Sequence, residues 1–306
     1  MLDGLHRFVA NDEYSRGRQQ DVRVSMDTSV SKPNRHRFFF TLRAMGRLFS
    51  VVRCLVWQAY ALRRIKAPKL KARKAHEVGR ILLGATKINV IVEGQVPREG
   101  TLVVPNHRSY LDTVVMGGLL PCAFLAKIEM RDWPVFGPFS RHINTIYVNR
   151  DSKPSRRAAR GGIATTLKGG LSCVVFAEGT TTQAPGCHDF RWGSFEVAAA
   201  INAPVCPVAI EYKLVEDAWI DDDDFLAHFM ERMGEPTLEV HVRFGPTIRW
   251  MDPRAMHSYC ENWVRGALAD LHLKLHSPNQ SDSGGSHVPP AIPLSVSVPS
   301  RSVSSG

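Results

Sequence analysis

The chain has 306 residues, of which 44% are hydrophobic and 22% are charged, a composition that is typical of a folded globular protein and excludes disorder throughout. Its formal charge of +10 is concentrated at one end, because residues 1–80 carry +12 whereas residues 81–306 carry −2. An enzyme acting on nucleic acid would be expected to carry its basic residues on the folded body, so this distribution argues against nucleic acid as a partner and favours an anionic membrane surface.

The first segment, residues 1–34, is polar and has neither an apolar period nor the apolar core of a signal peptide. We expect it to be a flexible tail.

Residues 35–84 are predicted to form a basic, amphipathic, helical segment that binds membranes. Apolar side chains recur there at three- and four-residue spacing and fall on one stripe of a helix, with Arg43 and Arg47 on the opposite side. The stripe comprises Phe38, Leu42, Met45, Phe49, Val52 and Val56. The longest uncharged stretch, 54–62, has nine residues, whereas a membrane-spanning helix needs about 20. We therefore expect the helix to lie in the membrane interface.

A dense basic cluster follows this stripe. Seven of the twelve residues from Arg63 to Lys74 are Lys or Arg, a density that suits lipid phosphates. The alternative is an amphipathic helix that packs on the protein's own core and is followed by a solvated basic turn.

Residues 85–276 alternate short apolar runs with helical patterns. Strands are predicted at 88–92, 101–104, 123–126, 145–148, 172–176, 205–210 and 238–244. Helices are predicted near 110–120, 153–169, 192–201 and 253–275. Such alternation predicts an α/β fold with a mostly parallel central sheet flanked by helices. The last segment, residues 277–306, contains 10 Ser, 5 Pro and 3 Gly, so we expect a disordered tail.

The composition points to no metal or redox centre. The six cysteines have no paired spacing, so they indicate neither a disulfide framework nor a zinc ribbon, and a reducing compartment is the default. The acidic run Asp221–Asp224 is interpreted as a solvated loop. Cys206 has nothing basic near it in sequence and is a poor candidate for a nucleophile.

The most informative segment is 105–112, Pro-Asn-His-Arg-Ser-Tyr-Leu-Asp, at the point where a strand gives way to a helix. Such turns at the carboxyl edge of a parallel sheet commonly carry reactive groups. His107 and Asp112 could meet if His107 lies in the turn, Asp112 lies in the first helical turn and Ser109 is the N-cap. The alternative is that Ser109 and Asp112 are only a capping-box variant.

Three further segments follow in a fixed order. They are 145–150 (Thr-Ile-Tyr-Val-Asn-Arg), 176–180 (Phe-Ala-Glu-Gly-Thr) and 205–210 (Val-Cys-Pro-Val-Ala-Ile). Together with segment 105–112, they resemble the four sequence blocks of the glycerolipid (lysophospholipid) acyltransferase family, which includes bacterial 1-acylglycerol-3-phosphate acyltransferases. The resemblance spans roughly residues 85–250.

This resemblance implies catalysis by His107 and Asp112. His107 would take the proton of an acceptor hydroxyl as that oxygen attacks an acyl thioester, and Asp112 would hold the imidazole and stabilise the imidazolium. Asn106, or backbone N–H groups at the helix start, could stabilise the oxyanion. The co-substrate would be acyl-CoA or acyl carrier protein thioester, with no bound cofactor.

The remaining blocks supply predicted substrate-binding residues. Arg150, at a strand end, offers a forked donor to an acceptor phosphate. Glu178, Gly179 and Thr180 also follow a strand, where glycine permits a tight turn and a close approach to a ligand.

The chain departs from the family pattern beside this last block. The family usually has Pro before the glutamate and Arg after the threonine, whereas Ala177 and Thr181 stand here. Loss of that arginine removes a cation for the acceptor headgroup. The expected acceptor is 1-acylglycerol-3-phosphate, with lyso-ornithine lipid as the alternative, at the cytoplasmic face of the cell membrane. A hydrolase that uses His107 and Asp112 with water is disfavoured, because the sequence contains no Gly-x-Ser-x-Gly turn. A peripheral membrane adaptor would leave His107 and Glu178 unexplained.

Overall fold

The computed structural model describes residues 35–133, 136–183, 185–220 and 224–276, except for the side chains of residues 35–38. The two predicted tails, 1–34 and 277–306, lie outside the described residues, as do the first three aspartates of the acidic run. Its fourth, Asp224, accepts a hydrogen bond from the Ala227 N–H at 2.7 Å and thereby caps a helix.

Seven strands and eight α-helices make up the described fold. The strands are β1 (Ile88–Glu93), β2 (Leu102–Pro105), β3 (Cys122–Lys127), β4 (Thr145–Val148), β5 (Ser172–Val174), β6 (Val205–Tyr212) and β7 (Leu238–Phe244). The helices are α1 (Arg35–Leu62), α2 (Pro68–Thr86), α3 (Leu111–Leu119), α4 (Phe136–Ser140), α5 (Lys153–Lys168), α6 (Gly193–Ala200), α7 (Phe225–Gly234) and α8 (Pro253–His276). Two short 3₁₀ turns occupy Ile128–Asp132 and Val215–Asp217.

All seven strands form one sheet in the order β1-β7-β6-β2-β5-β3-β4. Every neighbouring pair is parallel except β6 and β7, which are antiparallel. The predicted fold class, a mostly parallel sheet flanked by helices, is confirmed. Strand β2 lies between β6 and β5, so the residues that follow β2 and β5 emerge side by side at one edge of the sheet.

The central strands are buried because helices cover both faces of the sheet. All four residues of β2 and all eight of β6 are buried, which explains their almost continuous apolar sequence. One core is built mainly against α5, α6 and α8, through side chains such as Ile163, Phe195 and Val264. The other is built against α1, α2, α3 and α7, through side chains such as Leu55, Val78 and Phe229.

The predicted membrane-binding segment consists of two helices, α1 and α2, and both contribute to the core of the sheet domain. Arg47 is buried and donates hydrogen bonds to the carbonyl oxygens of Met233, Glu235 and Pro236 at 3.0, 2.6 and 2.8 Å. Arg43 donates to the Gly234 carbonyl at 2.7 Å. These arginines bind carbonyl groups in the last turn of α7, which a helix leaves without intrahelical partners, and in the two residues that follow it.

Most of the described part of the apolar stripe of α1 faces away from the protein. Phe49 is 68% exposed and Trp57, beside the stripe, is 71% exposed. The stripe residues Leu42, Met45 and Val56 are exposed as well. The helix itself packs on the core, as the alternative expected, but it does so through Ala44, Val51 and Leu55 and not through the predicted stripe. Among the described residues, no helix combines the length and apolarity that crossing a membrane requires.

Candidate active site

The site is built on the carboxyl ends of two adjacent parallel strands. β2 delivers His107 and β5 delivers Glu178, and the two strands pair through Leu102 with Cys173 and Val103 with Val174. The backbone N–H of Thr182 donates to the His107 carbonyl at 2.8 Å, which ties the two loops together.

His107 and Asp112 form a hydrogen-bonded pair. His107 Nδ1 lies 2.8 Å from Asp112 Oδ2, with His107 in the turn and Asp112 in the first turn of α3, as the sequence predicts. The same Oδ2 accepts hydrogen bonds from the backbone N–H groups of Arg108 and Ser109, at 2.6 and 2.9 Å. Asp112 therefore makes both the contact with His107 and the backbone contact that is typical of the acidic residue in a capping box. Tyr110, the residue before the assigned start of α3, already has helical φ and ψ, and Ser109 Oγ accepts from the Leu111 N–H at 3.4 Å, so Ser109 caps the helix start as predicted.

Tyr212 is a partner of Asp112 that the sequence analysis missed. Its hydroxyl donates to Asp112 Oδ1 at 2.8 Å, and both side chains are buried. Burial and the nearby carboxylate raise the pKa of Tyr212 well above its usual value, so the hydroxyl stays protonated and remains a donor. Strand β6 continues two residues beyond its predicted end, and this extension brings Tyr212 to the site.

The His107 ring is fixed in orientation yet accessible. It stacks on Phe176 with the ring centroids 4.0 Å apart and an interplanar angle of 20°. Its side chain is 19% exposed, and Nε2 has no hydrogen-bond partner within the described part of the chain. A substrate hydroxyl can therefore approach Nε2 while Nδ1 stays on Asp112.

Glu178 holds the loops around His107. Its Oε1 accepts the backbone N–H of His107 at 2.6 Å, and its Oε2 accepts the backbone N–H of His188 at 2.7 Å and the Thr182 hydroxyl. The carboxylate is buried and accepts from three donors, so it positions the turn that carries His107, and its contact with substrate stays a prediction.

Gly179 is required by both its conformation and its surroundings. It has φ +83°, and a Cβ there would lie 2.5 Å from Arg191 Nε. Arg150 donates from Nη1 to the Gly179 carbonyl, and Arg191 Nε donates to the Glu178 carbonyl at 3.4 Å. Thr180 follows and is partly exposed. Two guanidinium groups are thus held on the backbone of one tight turn.

Asn106 serves the sheet. It is fully buried, and its side-chain amide accepts from the Ile210 N–H at 2.7 Å and donates to the Ile210 carbonyl at 3.0 Å. The backbone N–H groups of His107, Arg108 and Ser109 are also taken by carboxylates. These groups are therefore engaged within the protein, and the identity of the oxyanion donor stays a prediction.

An open cavity of about 270 Å³ lies beside Phe176 and Gly179. Its basic lining comprises Arg150, Arg156, Arg160 and Arg191. Trp192 also lines the cavity, and Arg160 pairs with Glu196 at 2.8 Å. Phe176 lines this cavity and also stacks on His107, so its ring lies between the cavity and the histidine.

Thr181, where the family usually has arginine, does not contribute a cation, and its side chain is buried. Its Oγ1 has no hydrogen-bond partner among the residues that the structure describes. Arg191 supplies a cation beside the same turn.

Comparisons with known proteins identify the family. A family model described as Acyltransferase matches residues 87–211. The chain is 34% identical to the lyso-ornithine lipid O-acyltransferase of Pseudomonas aeruginosa, over 53% of this chain and 64% of that protein. It is 30% identical to the 1-acyl-sn-glycerol-3-phosphate acyltransferase of Neisseria meningitidis, over 58% of this chain and 71% of that protein.

A third relative is matched over a larger share of its own length. The lyso-ornithine lipid O-acyltransferase of Brucella abortus is 34% identical over 58% of this chain and 74% of that protein. The chain belongs to the acyltransferase family.

A solved structure supports the fold assignment. The 1-acyl-sn-glycerophosphate acyltransferase of Thermotoga maritima superposes with a TM-score of 0.59, over 77% of this chain and 97% of that one, at 20% identity. At that identity the likeness shows a shared fold.

This acyltransferase also has a buried ion pair behind its active-site turn. Arg108 Nη2 lies 2.6 Å from Glu211 Oε2, and both side chains are buried. Arg108 Nη1 donates to the carbonyl oxygens of Thr182 and Gly186 at 3.0 and 2.7 Å. One sequence feature points to a structural role for Arg108: it lies between His107 and Asp112, the two candidate catalytic residues.

None of the acyltransferase's cysteines has the environment of a nucleophile. All six are described and free. Burial raises the pKa of Cys206 to about 11, and its Sγ lies 3.4 Å from the Gly245 carbonyl. The low expectation for Cys206 as a nucleophile agrees with this geometry.

Proposed function

We propose that this acyltransferase moves a fatty acyl group from an acyl thioester to the free hydroxyl of 1-acylglycerol-3-phosphate. The observation that carries the proposal is the His107 ring, held by buried Asp112 at Nδ1 and accessible at Nε2, beside a cavity lined by four arginines. The catalytic roles of His107 and Asp112 and the contact of Arg150 with substrate remain predictions.

In the proposed reaction, His107 Nε2 takes the proton of the acceptor hydroxyl as the hydroxyl oxygen attacks the thioester carbonyl. Asp112 keeps Nδ1 protonated and stabilises the imidazolium that forms. The tetrahedral intermediate collapses with cleavage of the C–S bond, and the proton held on Nε2 passes to the departing thiolate. The products are the acyl ester and the free thiol, and no acyl-enzyme forms.

The charge of the cavity favours a phosphate-bearing acceptor. Four arginines line the cavity, and one of them, Arg160, pairs with the carboxylate of Glu196. Guanidinium groups bind phosphate through paired, charge-assisted hydrogen bonds. A zwitterionic lyso-ornithine lipid would bring an ammonium group into the same cationic field, which disfavours it.

Lyso-ornithine lipid remains the second candidate. Two of the relatives described above act on it, by their names, and this chain departs from the usual family block at Ala177 and Thr181.

A second cavity suits an acyl chain. It has about 110 Å³ of space and an almost wholly apolar lining from α1, α2, α3, β3 and α4. Thr113 and Val114, directly after Asp112, contribute to this lining. Apolar surface of this kind would bind part of a fatty chain and keep water from it.

We further propose that α1 places the enzyme on an anionic membrane at its cytoplasmic face. The exposed apolar face of α1 would enter the lipid interface, and the basic cluster from Arg63 to Lys74 would bind the lipid phosphates. Trp57 and Tyr60 are exposed on this helix, and such amphipathic rings favour the interface.

One assay tests the proposal. Purified full-length protein is given labelled acyl-CoA or acyl carrier protein thioester with a panel of lysolipids. The proposal predicts phosphatidic acid from 1-acylglycerol-3-phosphate as the preferred reaction. Free fatty acid as the main product would indicate a hydrolase. If no acyl product forms, a membrane adaptor is the better reading. Either result would overturn the proposal.

A further inference from the structure

Glu211, the buried partner of Arg108, belongs to a cluster of three potential metal ligands. Glu211 belongs to β6, and His272 and His276 lie one turn apart on α8. Their four-residue spacing places both imidazoles on one face of α8. The same helix packs against a strand of the sheet.

The donor atoms of these residues converge. One ligand atom from each of the three lies within 4.8 Å of the other two, and His272 Nδ1 is 3.6 Å from Glu211 Oε1. The two imidazole centroids are 4.5 Å apart. Ligands about 2 Å from a shared zinc ion lie roughly 3 to 4 Å from one another, so small rotations would complete the geometry.

Two nitrogen atoms of this cluster, one on each imidazole, have no hydrogen-bond partner among the described residues. His272 Nδ1 and His276 Nε2 are buried, and neither makes a hydrogen bond within the described ranges of the chain. Buried polar atoms ordinarily have partners, so two convergent unpartnered nitrogens call for a ligand.

We propose that Glu211, His272 and His276 bind a divalent cation of the zinc class. Imidazole nitrogen with one carboxylate oxygen suits Zn²⁺ and its borderline neighbours, whereas Mg²⁺ prefers an all-oxygen shell. The partial exposure of both histidines leaves room for water as a fourth ligand. Arg108 holds the other oxygen of Glu211 and so orients the carboxylate from outside the metal shell.

The bound cation would act on the active site through Arg108. Fixing Glu211 fixes the Arg108 guanidinium, which holds the carbonyls of Thr182 and Gly186 in the loop after Glu178. The cation therefore stabilises the loop and takes no part in the transfer of the acyl group.

The test uses tag-free, chelator-treated, full-length protein titrated with Zn²⁺ by calorimetry and with Co²⁺ by visible absorption. We expect one site per chain, tetrahedral Co²⁺ bands, and a Tm that rises by about 5 °C at a zinc concentration 100-fold above Kd. The variants are His272→Ala, His276→Ala and the double variant. We avoid Glu211, because its removal would leave Arg108 buried without its carboxylate.

Losing a ligand should weaken binding more than 100-fold, since even an outer hydrogen-bonding partner is worth about 10- to 100-fold. His142→Ala, remote in sequence from the cluster, is the matched control and should bind zinc normally. No saturable binding below about 100 µM would overturn the proposal, because the cluster would then be a plain His–Glu ion pair. Unchanged binding by the double variant would overturn it as well. Both readouts are independent of acyl transfer, so their failure is distinct from failure of the proposed function.

Discussion

The clearest test of acceptor recognition is Arg191→Gln. Arg191 lines the cationic cavity, its Nε donates to the Glu178 carbonyl at 3.4 Å, and its guanidinium packs directly on Gly179. Glutamine keeps a side-chain donor but removes the positive charge. We expect weaker capture of a phosphate acceptor while the His107–Asp112 pair stays intact.

The magnitude follows from the contact that is lost. A hydrogen bond to a charged group contributes about 1.5–3 kcal/mol, which corresponds to a 10- to 150-fold loss of kcat/KM for 1-acylglycerol-3-phosphate. Because Arg191 is exposed and three other arginines line the cavity, we expect the lower half of this range. Activity on lyso-ornithine lipid should fall far less, since that zwitterionic acceptor carries no net negative charge.

The assay compares kcat/KM for both acceptors in mixed micelles at one surface concentration, with the same acyl donor. Arg157→Gln is the matched control, because Arg157 is exposed on α5 and does not line the cavity. Repeating the series with acyl-CoA and with an acyl carrier protein thioester separates acceptor phosphate from CoA phosphate. Equal losses for both acceptors, or a loss no larger than that of Arg157→Gln, would refute the reasoning.

Three further variants test other parts of the molecule. Replacing both Phe49 and Trp57 by serine should weaken binding to anionic vesicles roughly 10- to 100-fold, and unchanged co-sedimentation would place the membrane contact elsewhere. Ala75→Phe adds bulk to the apolar cavity and should shift donor preference towards shorter acyl chains, measured by competition between donors of different length. Arg47→Met should lower the free energy of unfolding by about 3 kcal/mol in urea, because it leaves three carbonyl groups unsatisfied, whereas the exposed Arg53→Met should change it little.

The order of the elements was predictable because the sheet is buried on both faces. Each central strand is a short apolar run between polar turns, and all seven predicted strands are present. The turn carrying His107 was predictable as well, since a strand end followed by a helix start limits where Asp112 can lie. Helix α7 was missed. Its last carbonyl groups depend on Arg43 and Arg47, nearly 200 residues earlier in the chain.

The contacts that organise the site were not predictable, because they join residues distant in sequence. Tyr212 reaches Asp112 across 100 positions, and Arg108 reaches Glu211 across 103. Asn106 looked available for substrate because its β-strand partner, Ile210, is also 104 residues away. The spacing of His272 and His276 is visible in the sequence, but only the packing of α8 on β6 adds Glu211.

The central claim is that His107, oriented by Asp112, removes the proton from the acceptor hydroxyl. The most direct measurement is the single-turnover rate of acyl transfer by His107→Ala and Asp112→Asn, with folding confirmed by circular dichroism and an unchanged unfolding midpoint. The account predicts that both variants lose nearly all transfer, with His107→Ala falling more than about 100-fold while still binding vesicles. Folded His107→Ala protein that transfers acyl groups at a rate near that of the unaltered enzyme would contradict it.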